Sequence, residues 1–394
     1  MKAILTVLLV IFLDLLGFSF IIPFLPDYVH QLGGSPLWFS WILGAYSIGQ
    51  FLMAPVWGRL SDKVGRKPIL VISTLGSTLA WTSLALVHSL VFLLIVRFIA
   101  GLMSANFTVA QSYIVDVSPP EKRTSNLGLT GMAFGIGFIL GPPSGGFLYL
   151  LGPSAPFWGS ALLAASALTL VLTAVPESKT KIASRKPVAG KSLLGFLKDP
   201  VLRGILLVNL GFSLAFSLFQ SMFSQVSILQ LHFAPWQIGA SLAFAGVLIA
   251  LTQGGGLRFL VKRYAERPLM WVSLLLCGVG LILWGFATVS TELLVSLVPI
   301  SLGGGIATVL IRSLMTKSVS DHEVGTALGI SSSLDSFSRV VGPLVGGVLV
   351  SVSAMLPGLI SGVMILLSVA VGILVWGWNH KASTDSPEPA EASE

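Results

Sequence analysis

Residues 177–200 read Glu-Ser-Lys-Thr-Lys-Ile-Ala-Ser-Arg-Lys-Pro-Val-Ala-Gly-Lys-Ser-Leu-Leu-Gly-Phe-Leu-Lys-Asp-Pro, the one long polar stretch of a 394-residue chain. It carries Lys179, Lys181, Arg185, Lys186, Lys191 and Lys198. On either side lie six apolar runs of about 20 residues, the length a helix needs to cross the hydrocarbon of a bilayer. Six precede it, at roughly 4–26, 37–57, 69–88, 90–112, 126–149 and 155–175. Six follow, at roughly 201–230, 236–260, 268–288, 292–315, 325–351 and 355–379. The stretch therefore reads as a linker over 177–200, joining a six-helix bundle over 1–176 to a second over 201–380. Residues 381–394 are acidic and Pro-containing and are expected to be a disordered tail.

Composition agrees. The chain is 54% hydrophobic and 10% charged, against about 25% charged in a soluble domain. Lys2 is followed by an apolar run reaching Pro26, too long for the core of a cleaved signal peptide, so it is expected to be the first span. The net charge of +7 does not point to nucleic acid, because the basic residues sit in short gaps between apolar runs and form no polar face. Every Lys and Arg outside the spans falls at Lys2, in an even-numbered gap or at the C-terminus, and the odd-numbered gaps hold none. The positive-inside rule then predicts both termini in the cytoplasm, which an even number of spans also requires.

The two halves echo one another. Leu127-Gly128 followed by Gly141-Pro142-Pro143-Ser144-Gly145-Gly146 returns 201 residues later as Leu328-Gly329 and Gly342-Pro343-Leu344-Val345-Gly346-Gly347. Parallel six-helix repeats mark secondary transporters, with the substrate held near the midplane between the repeats. No P-loop or Gly-x-Gly-x-x-Gly element occurs, which argues against ATP as the driver. His30, His88, His232, His322 and His380 show no metal-ligand spacing, and Cys277 has no partner for a disulfide. No enzyme activity, cofactor or metal is expected.

The gap after the second run, Gly58-Arg59-Leu60-Ser61-Asp62-Lys63-Val64-Gly65-Arg66-Lys67, resembles the signature of the major facilitator superfamily at every fixed position. Further segments resemble its twelve-helix drug:proton antiporters: Leu16-Gly17 with Pro23 and Pro26, Arg97 with Gly101, and Gly137-x-x-x-Gly141-Pro142-x-x-Gly145-Gly146. Leu13-Asp14 before Gly17 resembles the tetracycline-efflux branch. The second half keeps basic residues over Gly256–Pro268 without the Asp, so the loop signature is present once.

The resemblance implies an all-α fold of twelve transmembrane helices in two pseudo-symmetric bundles. It implies a latch in which Asp62 faces the start of helix 11 near Gly325 and Arg66 pairs with Asp116, closing the inner side when the cavity opens outward. A helix N-terminus suits a carboxylate; Gly58 and Gly65 permit close approach and a turn. The alternative is a basic loop that only sets topology. Gly141, Pro142, Gly145 and Gly146 are expected to allow close helix packing and a bend, or static packing alone.

Away from the run ends, four ionisable residues stand inside runs: Asp14, Arg97, Asp335 and Arg339. Such charges are costly and functional by default. Asp335 and Arg339 are four apart on one helix face and are expected to neutralise each other as a structural or cavity-lining pair, a part in proton coupling being the alternative. Asp14 shares its face with no cation, and Arg97 is expected at nearly the same depth. A carboxylate alternating between a proton and an Arg partner is a coupling device; a fixed structural pair is the alternative. Asn209, Ser213, Ser217, Gln220 and Ser224 form one polar stripe on helix 7, beside Phe212, Phe216, Phe219 and Phe223, and are expected to line a cavity or bond neighbouring helices.

The leading expectation is a proton-coupled exporter of small amphiphilic compounds or drugs, acting by alternating access as a monomer in a bacterial-type inner membrane. Its partners are then the lipid bilayer, protons and a small-molecule substrate, with no nucleic acid. A nutrient symporter or facilitator, and a non-transporting membrane sensor, remain open.

Overall fold

A computed structural model describes residues 2–119, 122–178, 199–320 and 323–384. The expected linker, apart from its ends, and residues 385–394 of the expected tail lie outside the described residues. The described residues form helices and turns with no strand. Ten helical stretches are long and apolar enough to cross a membrane, and two shorter apolar helices, 135–151 and Pro235–Leu251, complete twelve spans.

The spans seldom end where the apolar runs end. Span 2 runs from Pro36 to Val64 and span 3 begins at Arg66, so the Gly58–Lys67 segment is not the expected loop but two helix ends joined at Gly65. Gly65 has φ 111°, a left-handed backbone that an L side chain rarely adopts. Span 5, Arg123–Leu148, stays helical through Pro142 and Pro143. Span 12, Leu356–Thr384, extends the last helix over the first residues of the expected tail.

Three spans are interrupted instead. Span 1 comprises Lys2–Phe20 and Leu25–Gln31 around a turn containing Pro23. Span 4 comprises Leu90–Met103 and Asn106–Val117. Span 8 passes from Pro235–Leu251 through a π-helical turn, Thr252–Gly256, into Leu257–Arg263. At apolar depth, backbone groups released by such a break need partners from neighbouring helices. In span 4, Ser73 of span 3 (Arg66–Ala85) supplies them: its Oγ donates to Met103 O at 2.7 Å and accepts from Ala105 N at 2.8 Å. Trp57 Nε1 of span 2 donates to Leu102 O at 2.6 Å.

The repeated glycines explain how the halves are built and joined. A Cβ on Gly141 or Gly145 would strike Ser19 or the Phe20 backbone of span 1, while one on Gly146 would meet Pro235 O and Trp236 Cα of span 8, each at 2.8 Å. The second copy repeats the pattern. Gly342 and Gly346 abut Ser217 and Met222 of span 7 (Pro200–Leu231), and Gly347 abuts Ser40 of span 2. In each copy the first two glycines hold a half together and the third joins it to the other half. Small residues allow this backbone approach.

The joined region lies at the end of the bundle away from the termini. There Ser224 Oγ donates to Ile22 O at 2.7 Å across the halves. Side chains such as Phe24, Tyr28, Phe39 and Ile42 share one apolar core with Phe219, Met222 and Phe223. Toward the termini the first half has a separate core of Val7, Ile69, Tyr113 and Val171. Gly58, Gly135 and Gly329 face open space there. The molecule is closed at the far end and open at the end that carries the termini.

Candidate functional site

The break in span 4 positions the first half of the site. Asn106 restarts the helix, is 2% exposed, and donates from Nδ2 to Asp14 Oδ1 of span 1 at 2.9 Å. Asp14 therefore takes its hydrogen bond from an amide and not from Arg97. Arg97 is 1% exposed, and its Nε and Nη1 have no hydrogen-bond partner. Its guanidinium lies 4.6 Å from the Tyr46 ring centroid and 5.8 Å from that of Phe18, within cation–π range. Spans 2 and 4 cross at Gly49 and Gly101, where each glycine meets the other helix's backbone, and this crossing sets Tyr46 over Arg97. The Tyr46 hydroxyl donates to Ser104 Oγ at 3.0 Å, at the break itself.

In the second half, Asp335 does not pair with Arg339. Its Oδ1 accepts from Ser213 Oγ of span 7 at 2.5 Å, and its Oδ2 accepts from Arg312 Nη2 of span 10 (Ser290–Lys317) at 3.3 Å. Packing explains the exchange: spans 7 and 10 bring partners to the carboxylate, while Arg339, on an exposed stretch of span 11 (Val324–Val352), makes no ion pair among the described residues.

The polar stripe of span 7 divides by depth. Ser213 reaches Asp335, Gln220 is exposed, and Ser217 lies against Gly342. Asn209 is 4% exposed with Nδ2 unbonded. Ser224 is not cavity lining: it ties the closed end together through Ile22. The phenylalanines beside the stripe stack on one another and on Trp284, so they belong to the core of the second half.

At the open end Arg66 is a hub. It bonds Asp62 at 2.6 Å and Asp116 at 2.9 Å, and its Nη1 donates to Ser61 Oγ. Glu177, from the start of the expected linker, accepts from the Arg66 backbone N at 2.9 Å and so caps span 3. Asp62 is half exposed and is engaged with Arg66; among the described residues no bond joins it to span 11. That geometry suits an open end.

Sequence reasoning passed over Asn106, Ser73, Tyr46, Arg312 and Glu177. Asn106 carried a signal, an amide within an apolar run, where polar side chains bond between helices. Arg312 lies inside the tenth run but close enough to its basic end to pass for an end charge. Among the described residues no cluster of His, Cys, Asp and Glu could hold a metal ion.

Comparison with known proteins matches this architecture. The chain is 30% identical to a class E tetracycline resistance protein of Escherichia coli over 87% of each chain. It is 28% identical to the quinolone resistance protein NorA of Staphylococcus aureus, covering 87% of this chain and 88% of that one. Among solved structures, a bacterial homolog of the human lysosomal transporter Spinster in an inward-facing, unoccupied conformation superposes with a TM-score of 0.76 at 15% identity, over 98% of each chain. The family description Major Facilitator Superfamily matches residues 7–259 and 257–394. With span 4 broken beside Asp14 and a buried, unpaired Arg97, two glycine-joined halves and these matches, the chain belongs to the Major Facilitator Superfamily.

Proposed function

We propose that this multi-pass membrane protein is a proton-coupled antiporter that exports small amphiphilic compounds by alternating access. It works as a monomer in a bacterial inner membrane, with both termini and the linker in the cytoplasm. The open end is then cytoplasmic and the state is inward-open. The names of its relatives, tetracycline and quinolone resistance proteins, support a drug-like cargo.

The observation that carries this reading is Asp14 held by Asn106 at a helix break. Broken helices inside a membrane belong where backbone lines a cavity, and an intramembrane carboxylate there is a functional group. Asp14 is the proton carrier: its protonation changes the energy of one conformation relative to the other. At 100 mV each inward proton contributes about 2.3 kcal/mol. Arg97, which like Asp14 neighbours Tyr46, replaces the proton as its partner in another conformation. Asp62, Arg66 and Asp116 form the inner latch, with Gly58 and Gly65 giving span 11 room to close against span 2. Ser213, Ser217 and Gln220 contribute the polar lining.

The test is proton-driven uptake of a tetracycline and a quinolone into everted vesicles. The wild type should accumulate at least one of them and alkalinise the acidified lumen. Asp14→Asn should abolish uphill transport while downhill exchange survives. Coupling in the opposite direction would make it a symporter, and no flux with intact binding would make it a sensor.

A further inference from the structure

The inner parts of spans 1, 4, 10 and 11 hold three guanidinium groups, Arg97, Arg312 and Arg339, against two carboxylates, Asp14 and Asp335. Asp335 is committed to Ser213 and Arg312. Asp14 is held by Asn106, and in a proton-coupled cycle it also carries a proton. Neither carboxylate is within ion-pair distance of Arg97 or Arg339. A buried charge without a counter-charge is strongly unfavourable, yet Arg97 keeps two buried nitrogens unbonded and lies against the rings of Tyr46 and Phe18. Arg339, from the other half, is exposed. The contacts of Gly44 with Leu344 and of Gly347 with Ser40 run spans 2 and 11 antiparallel, which brings Arg339 within about two turns of the level of Tyr46, and Arg97, Arg339 and Asp14 are all electrostatic neighbours of the Tyr46 hydroxyl.

Pairing Asp14 with Arg97 in another conformation would leave Arg339 still unmatched. A cationic compound would meet two guanidiniums against one carboxylate, Asp14, which Asn106 engages and the coupling proton neutralises. An anion would meet a planar, fully charged donor from each half, the group best suited to carboxylate recognition. It would also draw the halves together. We propose that the transported compound is an amphiphilic anion, its carboxylate or sulfonate held between Arg97 and Arg339 and its aromatic body against Phe18 and Tyr46. The assignment rests on the transporter reading of this cavity.

The experiment uses the full chain, purified in detergent, and three probes sharing one aromatic body: 2-naphthoate, neutral 2-naphthamide and 2-naphthylmethylammonium. Binding is read by calorimetry and by thermal stabilisation, since a ligand that binds the folded state raises its melting point. In the wild type, 2-naphthoate should bind at least about tenfold more tightly than the other two, as charge-assisted hydrogen bonds require. Arg97→Gln and Arg339→Gln should each weaken it about tenfold or more, and Arg339→Glu should reverse the order in favour of the ammonium. Equal or tighter binding of the amide or ammonium by the wild type, or binding of none of the three, overturns the assignment. The wild-type comparison stands even where a variant fails to fold. Counterflow in proteoliposomes separates the two readings. Selective 2-naphthoate binding without exchange keeps the anion site and refutes transport. Exchange of a cationic dye with no 2-naphthoate binding keeps transport and refutes the anion site.

Discussion

Gly146→Ala should shift the molecule from one conformation to the other while leaving each half intact. The added Cβ would lie 2.8 Å from both Pro235 O and Trp236 Cα, backbone atoms of the other half that cannot rotate away. Overpacking of this kind costs about 1–3 kcal/mol. The clash exists only while the far end is closed, so its cost falls on the present state alone. At about 1.4 kcal/mol per tenfold, the ratio of the two states should move by roughly 5- to 140-fold toward the alternative. Gly141→Ala is the control, because its Cβ meets Ser19 of the same half and penalises both states alike. The assay is maleimide labelling of a Ser336→Cys reporter in a Cys277→Ala background. Ser336 is exposed and lies eleven residues, three helical turns, before Gly347, on the face of span 11 turned to the other half. Cys277 is fully buried and would otherwise be the only native thiol. Labelling should slow in Gly146→Ala with little change in melting temperature, and in Gly141→Ala the melting temperature should fall with little change in labelling by the surviving folded protein. An unchanged labelling rate in a folded Gly146→Ala protein would refute the view that this glycine marks the closed gate.

Ser73→Ala removes the group that satisfies Met103 O and Ala105 N and should cost about 1–3 kcal/mol; a thermal melt in detergent checks it, and no loss would mean the span 4 break finds other partners. Arg66→Ala leaves Asp62 and Asp116 unpaired at the open end and should reduce transport with normal insertion; wild-type flux in both Arg66→Ala and Asp62→Asn would remove the latch. Arg312 is more than half exposed, so its pair with Asp335 should show a coupling of only about 0.2–1 kcal/mol in an Arg312→Ala, Asp335→Ala double-mutant cycle. Asn106→Leu should depress uphill transport more than binding, measured side by side in vesicles and by calorimetry, because it removes the amide that donates to Asp14.

Much of the architecture was legible in the residues themselves. Apolar run length and the repeat around Gly141 and Gly342 give twelve spans in two halves, because run length is set by the thickness of the hydrocarbon, and a repeated face needs a repeated neighbour. The Arg66–Asp116 pair came only with the family resemblance, since nothing local links positions so far apart. Span ends were misplaced at Val64 and Thr384 because helices continue beyond the apolar core into polar surroundings, where hydropathy ceases to report.

The pairing of the inner charges was decided by tertiary structure alone. Spacing of four puts Asp335 and Arg339 on one face, but a carboxylate takes whichever donors the packed helices present, and spans 7 and 10 present Ser213 and Arg312. Position along their runs puts Asp14 and Arg97 at nearly one expected depth, yet the break at Met103–Asn106 turns an amide to Asp14 and leaves Arg97 under Tyr46. No residue between 103 and 106 is a helix breaker; the break persists because Ser73, from another span, satisfies the backbone it frees. Sequence determines which groups lie in the membrane and at what depth. Which of them touch depends on helix rotation and on breaks that neighbouring helices must satisfy, and those are set only when the whole bundle is packed.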